Sequence, residues 1–213
     1  MRYQPPHFQA PDVDAVRSLI TRHPLATLVL TGVDGIDAEH LPMLLEDAET
    51  GHGVLRGHVA RANPVWQQVP DGADALAIFH GPDHYVSPGW YPSKRAHGKV
   101  VPTWNYAVVH GHGRLTWQHD RDWLLALVTR LTDAHEAGRA APWHVTDAPD
   151  DYVTRMLGAI VGVEIALTRL EGKWKQSQNR STEDVAGVIA GLEADGSLSA
   201  RDAAAPMQET RSR

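Results

Sequence analysis

The apolar residues of this chain come in short runs, each cut off by glycine, proline or a polar turn. That punctuation constrains the fold more than any other feature of the sequence. No run approaches the roughly 20 apolar residues that cross a bilayer as a helix. Residues 25–31 (LATLVLT) are apolar and partly β-branched, the pattern of a buried strand. Gly32-Val33-Asp34-Gly35 then turns the chain into a return strand over 36–45. Further strands are expected over 53–59, 75–80, 85–87 and 160–170. Residues 104–117 read as a strand pair or one bent strand, broken near Gly111 and Gly113.

Apolar positions at helical spacing place helices over 12–23, 64–69, 120–136, 150–157 and 181–192. Asp12 caps the first, and Asn63 caps the second with Pro64 at its first turn. The last opens on Ser181-Thr182-Glu183-Asp184, which has the form of a capping box. Residues 88–103 hold three prolines and two glycines and read as a loop with fixed turns. Hairpin strands with helices inserted and appended predict an α+β fold. Its antiparallel sheet of about six strands would close as a barrel to dispose of its edges. One domain over 1–195 is expected, with 196–213, small and polar, as a disordered tail.

Composition removes whole classes of chemistry. The absence of cysteine excludes disulfides, thiolate nucleophiles, iron–sulfur clusters and thiolate-ligated haem. Acidic residues outnumber basic ones 26 to 20, a net charge of -6, which argues against DNA binding as the main activity. The N-terminal segment lacks the apolar centre of a signal peptide, so the expected location is cytoplasmic and no membrane partner is expected.

Five polar or aromatic clusters stand where featureless loop would be expected. They are His40-Leu41-Pro42, GHVARANP (57–64), SPGWYPSK (87–94), VPTWNY (101–106) and KQSQNR (175–180). Arg56, His58, Arg61 and Lys94 are candidate partners for a phosphate, and Ser87 and Thr103 can add hydroxyl bonds. Trp90, Tyr91, Trp104 and Tyr106 can wall an aromatic ring, while Asn105, Gln178 and Asn179 can serve a polar ring edge. Each has a plainer role: Arg56 facing solvent, His58 hydrogen-bonded in the structure, Trp104 or Tyr106 packed, and Gln178 and Asn179 satisfying a loop. The remaining tryptophans read as packing, and His110 and His112, without a nearby carboxylate, as a poor metal site.

In their order and spacing these clusters, with Tyr3-x-Pro5-x-x-Phe8 and Phe79-His80-Gly81-Pro82, resemble the PaiB-like family of flavin mononucleotide (FMN)-binding negative transcriptional regulators. The resemblance covers residues 1–195. It implies an FMN-binding split barrel, a homodimer, and two equivalent sites built by both subunits. It leaves the reaction open, with an FMN-dependent oxidoreductase or a flavin-linked regulator as its first reading. No acid–base catalyst is identifiable in the sequence.

Two alternatives stay open. The same inventory fits haem b, as in piperazate-synthase-like enzymes, with His58 as axial ligand beside Gly57, His40 as second choice, and the cations on the propionates. The other is a transcriptional repressor without catalysis. Against it, no helix-turn-helix is evident, and the helix at 181–192 begins with Glu183 and Asp184 where a recognition helix needs basic or amide groups.

Overall fold

A computed structural model of the protein describes residues 1–48 and 51–211. Among the described residues seven α-helices and seven strands follow in chain order. The first half contains α1 (Val13–Arg22), β1 (Leu25–Gly32), β2 (Gly35–Pro42), β3 (Leu44–Glu46), β4 (Val54–Ala60), α2 (Val65–Gln68), β5 (Asp74–Val86) and α3 (Ser93–His97). The second contains β6 (Thr103–Gln118), α4 (Arg121–Glu136), α5 (Asp150–Leu157), β7 (Ile160–Lys175), α6 (Thr182–Asp195) and α7 (Leu198–Arg211). The strands form one seven-stranded sheet, in the order β2-β1-β5-β6-β7-β4-β3, and its pairings β1–β2, β1–β5, β3–β4 and β4–β7 are antiparallel.

The chain divides into two compact units. One comprises residues 20–79 and 110–170. Its core is aliphatic, with Leu28, Leu55, Leu115, Leu124, Leu127, Val163 and Ile165 all buried. Within it β2 and β4, far apart in the order of strands, come together: a Cβ on Gly57 would lie 2.9 Å from the Pro42 carbonyl oxygen. The edge strand β2 is thereby drawn against β4 just past the stretch, Val54–Arg56, that pairs with β3.

The other unit comprises residues 1–19, 80–109 and 171–213. Its core includes a cluster in which Val86, Tyr91, Val188, Ile189 and Leu192 pack with Ala200, Ala203, Ala204 and Met207. The expectation of a disordered tail after residue 195 is overturned here. Ala200, Ala203, Ala204 and Met207 fall at i, i+3, i+4 and i+7, one face of a helix, and are buried. A stripe so poor in large side chains reads as unpatterned sequence.

Four strand expectations also change. The return strand expected over 36–45 is divided into β2 and β3. The two strands expected over 75–80 and 85–87 are one, Asp74–Val86: the pairing of β5 with β1 ends at Ile78, so Pro82 removes no hydrogen bond from that ladder. Strand β6 continues through Gly111 and Gly113, since the alternation of inward and outward residues persists across both. β7 runs on to Lys175. At α6, Ser181 caps by accepting from the Asp184 amide, but Asp184 does not complete a capping box; its carboxylate is used elsewhere.

Candidate functional site

Three of the five clusters meet in the unit holding α6 and α7. VPTWNY starts β6, where alternation sends Trp104 outward, 54% exposed, and Asn105 inward, 2% exposed. KQSQNR is the end of β7 and the turn into α6. SPGWYPSK joins β5 to α3. There Ser87 accepts from the Gly89 amide at 3.1 Å and caps a single 3-10 turn, Pro88–Trp90. Trp90 then lies on α6 at Gly187 and Gly191, where any Cβ would run into its carbonyl or its indole. Only glycine lets the helix come that close.

A chain of polar contacts ties the clusters together. Lys175 Nζ donates to Thr103 Oγ1 and, at 2.5 Å, to the Trp104 carbonyl. The Ser177 hydroxyl donates to Asn105 Oδ1 at 3.1 Å. The Asn105 amide donates to the Met207 thioether at 3.4 Å. Asp184 accepts from the Ser93 amide at 3.1 Å and the Ser93 hydroxyl at 2.7 Å. The Arg180 guanidinium stacks over the Tyr91 ring, 4.9 Å from its centroid. Tyr91 is 1% exposed, and its hydroxyl has no hydrogen-bond partner among the described residues. Ser177 is buried with φ 63°, a strained conformation for a residue with a side chain.

The electrostatics of this node are one-sided. Burial pushes the Lys175 ammonium below its ordinary range, and the like charges of Lys173 and Arg180 push it the same way. Lys173 is spread over two rings, 5.5 Å from the centroid of Tyr3 and 5.6 Å from that of Tyr106. Trp104 and Tyr85, both exposed, stand edge to face with centroids 6.1 Å apart. Cations crowded around a half-buried ammonium set a positive local potential beside aromatic faces.

The sequence candidates divide accordingly. Thr103, Asn105, Trp104, Ser87 and Trp90 lie in this unit; Thr103 and Asn105 are in the polar chain itself. Lys94 and Asn179 are exposed in the same unit. Gln178 folds back on its own turn, accepting from the Gln176 amide at 2.6 Å and donating to the Trp174 carbonyl at 2.6 Å. Lys175, Ser177, Arg180 and Asp184 escaped the list of candidates. The faint signal for them is Lys173 and Lys175 on alternate strand positions, running into Arg180.

Arg56, His58 and Arg61 belong to the other unit. The Arg56 guanidinium pairs with Glu46 and, at 2.7 Å, with Glu164, and lies 5.8 Å from the Trp123 ring centroid. Arg61 donates to the carbonyls of Gly158 and Ile160, each at 2.8 Å. Both are committed to holding β4 and β7. Gly57, read from sequence as room for a planar ligand, is instead filled by the backbone of β2 at Pro42. Asn63 caps as expected, accepting from the Val65 amide at 3.0 Å, and donates to Glu39. His58 Nδ1 is buried without a hydrogen-bond partner among the described residues, and burial holds its imidazole below the usual histidine range.

Comparison with known proteins bears on the family and the fold, and the matched family region ends before the 175–180 turn. The profile of a family described as a putative FMN-binding domain matches residues 2–169. The protease synthase and sporulation protein PAI 2 of Bacillus subtilis is 28% identical over 97% of each chain. Among solved structures, the flavocytochrome Anf3 from Azotobacter vinelandii superposes with a TM-score of 0.58 at 14% identity, over 84% of this chain and 75% of that one. An FAD and heme binding protein from Mycobacterium smegmatis gives 0.56 at 17% identity, over 84% and 78%. At such identities the two structures establish a shared fold.

Proposed function

The chain belongs to the PaiB-like family of putative FMN-binding domains, and we propose on that premise that it holds FMN where β6, the 175–180 turn and the 87–93 segment meet, serving as a flavin-linked oxidoreductase or regulator. The observation that carries this reading is the Lys175 ammonium: the charges bearing on it, Lys173 and Arg180, are both positive. An ammonium has three hydrogens, and two are used on Thr103 and Trp104. The third is available to a phosphate oxygen.

The remaining residues fit the rest of the cofactor. Thr103 adds a hydroxyl for the phosphate, Trp104 and Tyr85 offer an aromatic wall, and Asn105 offers a carboxamide whose oxygen is already fixed by Ser177. When bound, a flavin supplies a centre that accepts a hydride or single electrons. This chain's part is to bind and orient it. Two copies of the chain are part of the proposal, with the exposed Trp104, Tyr85 and Val101 as the face a second copy covers.

Titration of the protein into FMN tests the reading. Quenching of flavin fluorescence that saturates supports it, and unaltered fluorescence at protein in excess contradicts it. Light scattering on the same sample reports whether the mass is that of two chains.

A second reading is favoured by one observation. His58 is a half-buried imidazole that burial shifts toward its neutral form, and neutral imidazole is the form that ligates haem iron. The fold is shared with a protein described as binding both FAD and heme. Addition of hemin should then produce a Soret band that His58→Ala removes; a band that survives the substitution excludes His58.

A further inference from the structure

Helix α7 closes over Asn105 and Tyr91, and neither polar group is well served by it. The Asn105 amide meets a thioether, a weak acceptor, at 3.4 Å. The Tyr91 hydroxyl, in the same apolar cluster as Met207, has no partner in hydrogen-bond geometry among the described residues, and the Arg180 guanidinium that bears on it lies over the ring. A buried hydroxyl or amide left unmet costs free energy that a ligand carbonyl or ring nitrogen would recover. We propose that Asn105 and Tyr91 form the polar wall of a ligand subsite that α7 fills with Met207, and that release of α7 opens it to a planar heterocycle whose edge carries acceptor atoms.

The way α7 is attached suits release. Its buried stripe is three alanines and one methionine, so it covers little apolar area for its length. Pro206, within the helix and next to Met207, contributes no amide hydrogen and weakens the turn that carries the plug. Gly196, in the left-handed region at φ 70°, ends α6 and begins the connection. Among the described residues, polar ties at the surface include Gln208 to Glu193 at 2.7 Å, and Ser197 to Asp195 at 2.5 Å in the turn. By contrast α6 is fixed by Val188, Ile189 and Leu192, by the glycine faces on Trp90, and by Asp184 on Ser93. The two helices therefore differ in how they are held, and a segment with few large buried side chains is the one that opens first.

The ligand assignment rests on the flavin reading above; the opening of α7 does not. Hydrogen exchange on the full chain without ligand decides the opening. Amides 201–205, 207 and 208 should exchange at least about tenfold faster than amides 188–192, and equal protection of the two helices would overturn the proposal. The second arm uses the absence of native cysteine. In Glu193→Cys with Gln208→Cys, a reversible bifunctional thiol reagent pins α7 to α6. Pinning should weaken FMN binding at least about tenfold, with recovery on reduction, because the competent state is no longer populated. FMN binding unchanged by pinning overturns the proposal. If FMN binds neither form, the flavin reading has failed, and the exchange result still decides whether α7 opens.

Discussion

Arg56 and Lys175 are both half-buried cations at the ends of side-chain networks, and they are held in opposite ways. Burial works against the charge on Arg56, but Glu164 and Glu46 outweigh it and hold the guanidinium above its usual range. Burial also works against Lys175, and there the neighbouring charges, Lys173 and Arg180, add to the cost. A cation whose neighbours complete it is part of the scaffold. One whose neighbours repel it is kept for something that arrives from outside, since a stable fold without such a role would discard the repulsion. The contrast separates two motifs that look equally basic in the sequence.

The largest expected effects come from exchanging these roles. Lys175→Met should weaken FMN binding about 10–100-fold, the worth of one charge-assisted hydrogen bond. The same substitution should leave urea stability unchanged or slightly raised, because a repelled charge is gone. A large loss of stability would place Lys175 with the scaffold. Next in size, Glu164→Ala should lower stability by about 1–3 kcal/mol through the guanidinium it leaves under-paired, with FMN affinity unchanged. A stability loss below the error of the denaturation curve would break the comparison from the other side.

The smallest effect concerns His58, which follows Arg56 on the same face of β4. Its native pKa lies below the ordinary 6.5, so the unfolded chain binds a proton that native His58 refuses. Stability should be full above pH 6.5 and fall as pH drops through the window between 6.5 and the lower native value. The slope from this one group is at most about 1.4 kcal/mol per pH unit. Comparing urea midpoints at pH 7 and pH 5 checks it: His58→Gln should lose less stability on acidification than the native chain. Equal losses would mean His58 titrates alike in both states.

Much of the fold was legible because its signals are local. Turn residues cut the strands of the hairpins, and the apolar stripe after Asp120 marked α4, which Asp120 caps by accepting from the Trp123 amide. The failures share a physical cause. Pro82 and the glycines of β6 read as breaks, yet a residue that cannot pair or pack in isolation is tolerated where its neighbour strand has ended or a partner presses close. The alanine stripe of α7 carries too little hydropathy to announce a helix, and its burial is a tertiary fact.

The candidate site was legible by half. Thr103 and Asn105 were visible through the motif around them, and Asn105 proved to be buried. Lys175, Arg180 and Asp184 were not, because a basic or acidic residue beside a polar turn looks solvated until its neighbours in space are known. Arg56 was overvalued for the same reason: Glu46 and Glu164 lie 10 and 108 residues away in the chain.

The most direct test compares FMN with riboflavin, which differs only in lacking the phosphate, on the native protein and on Lys175→Met. The crowded cations predict that the native protein binds FMN far more tightly than riboflavin and that the substitution largely erases the difference. Equal affinity of the native protein for the two, or a preference for FMN that survives Lys175→Met intact, would contradict the assignment of this node to a phosphate.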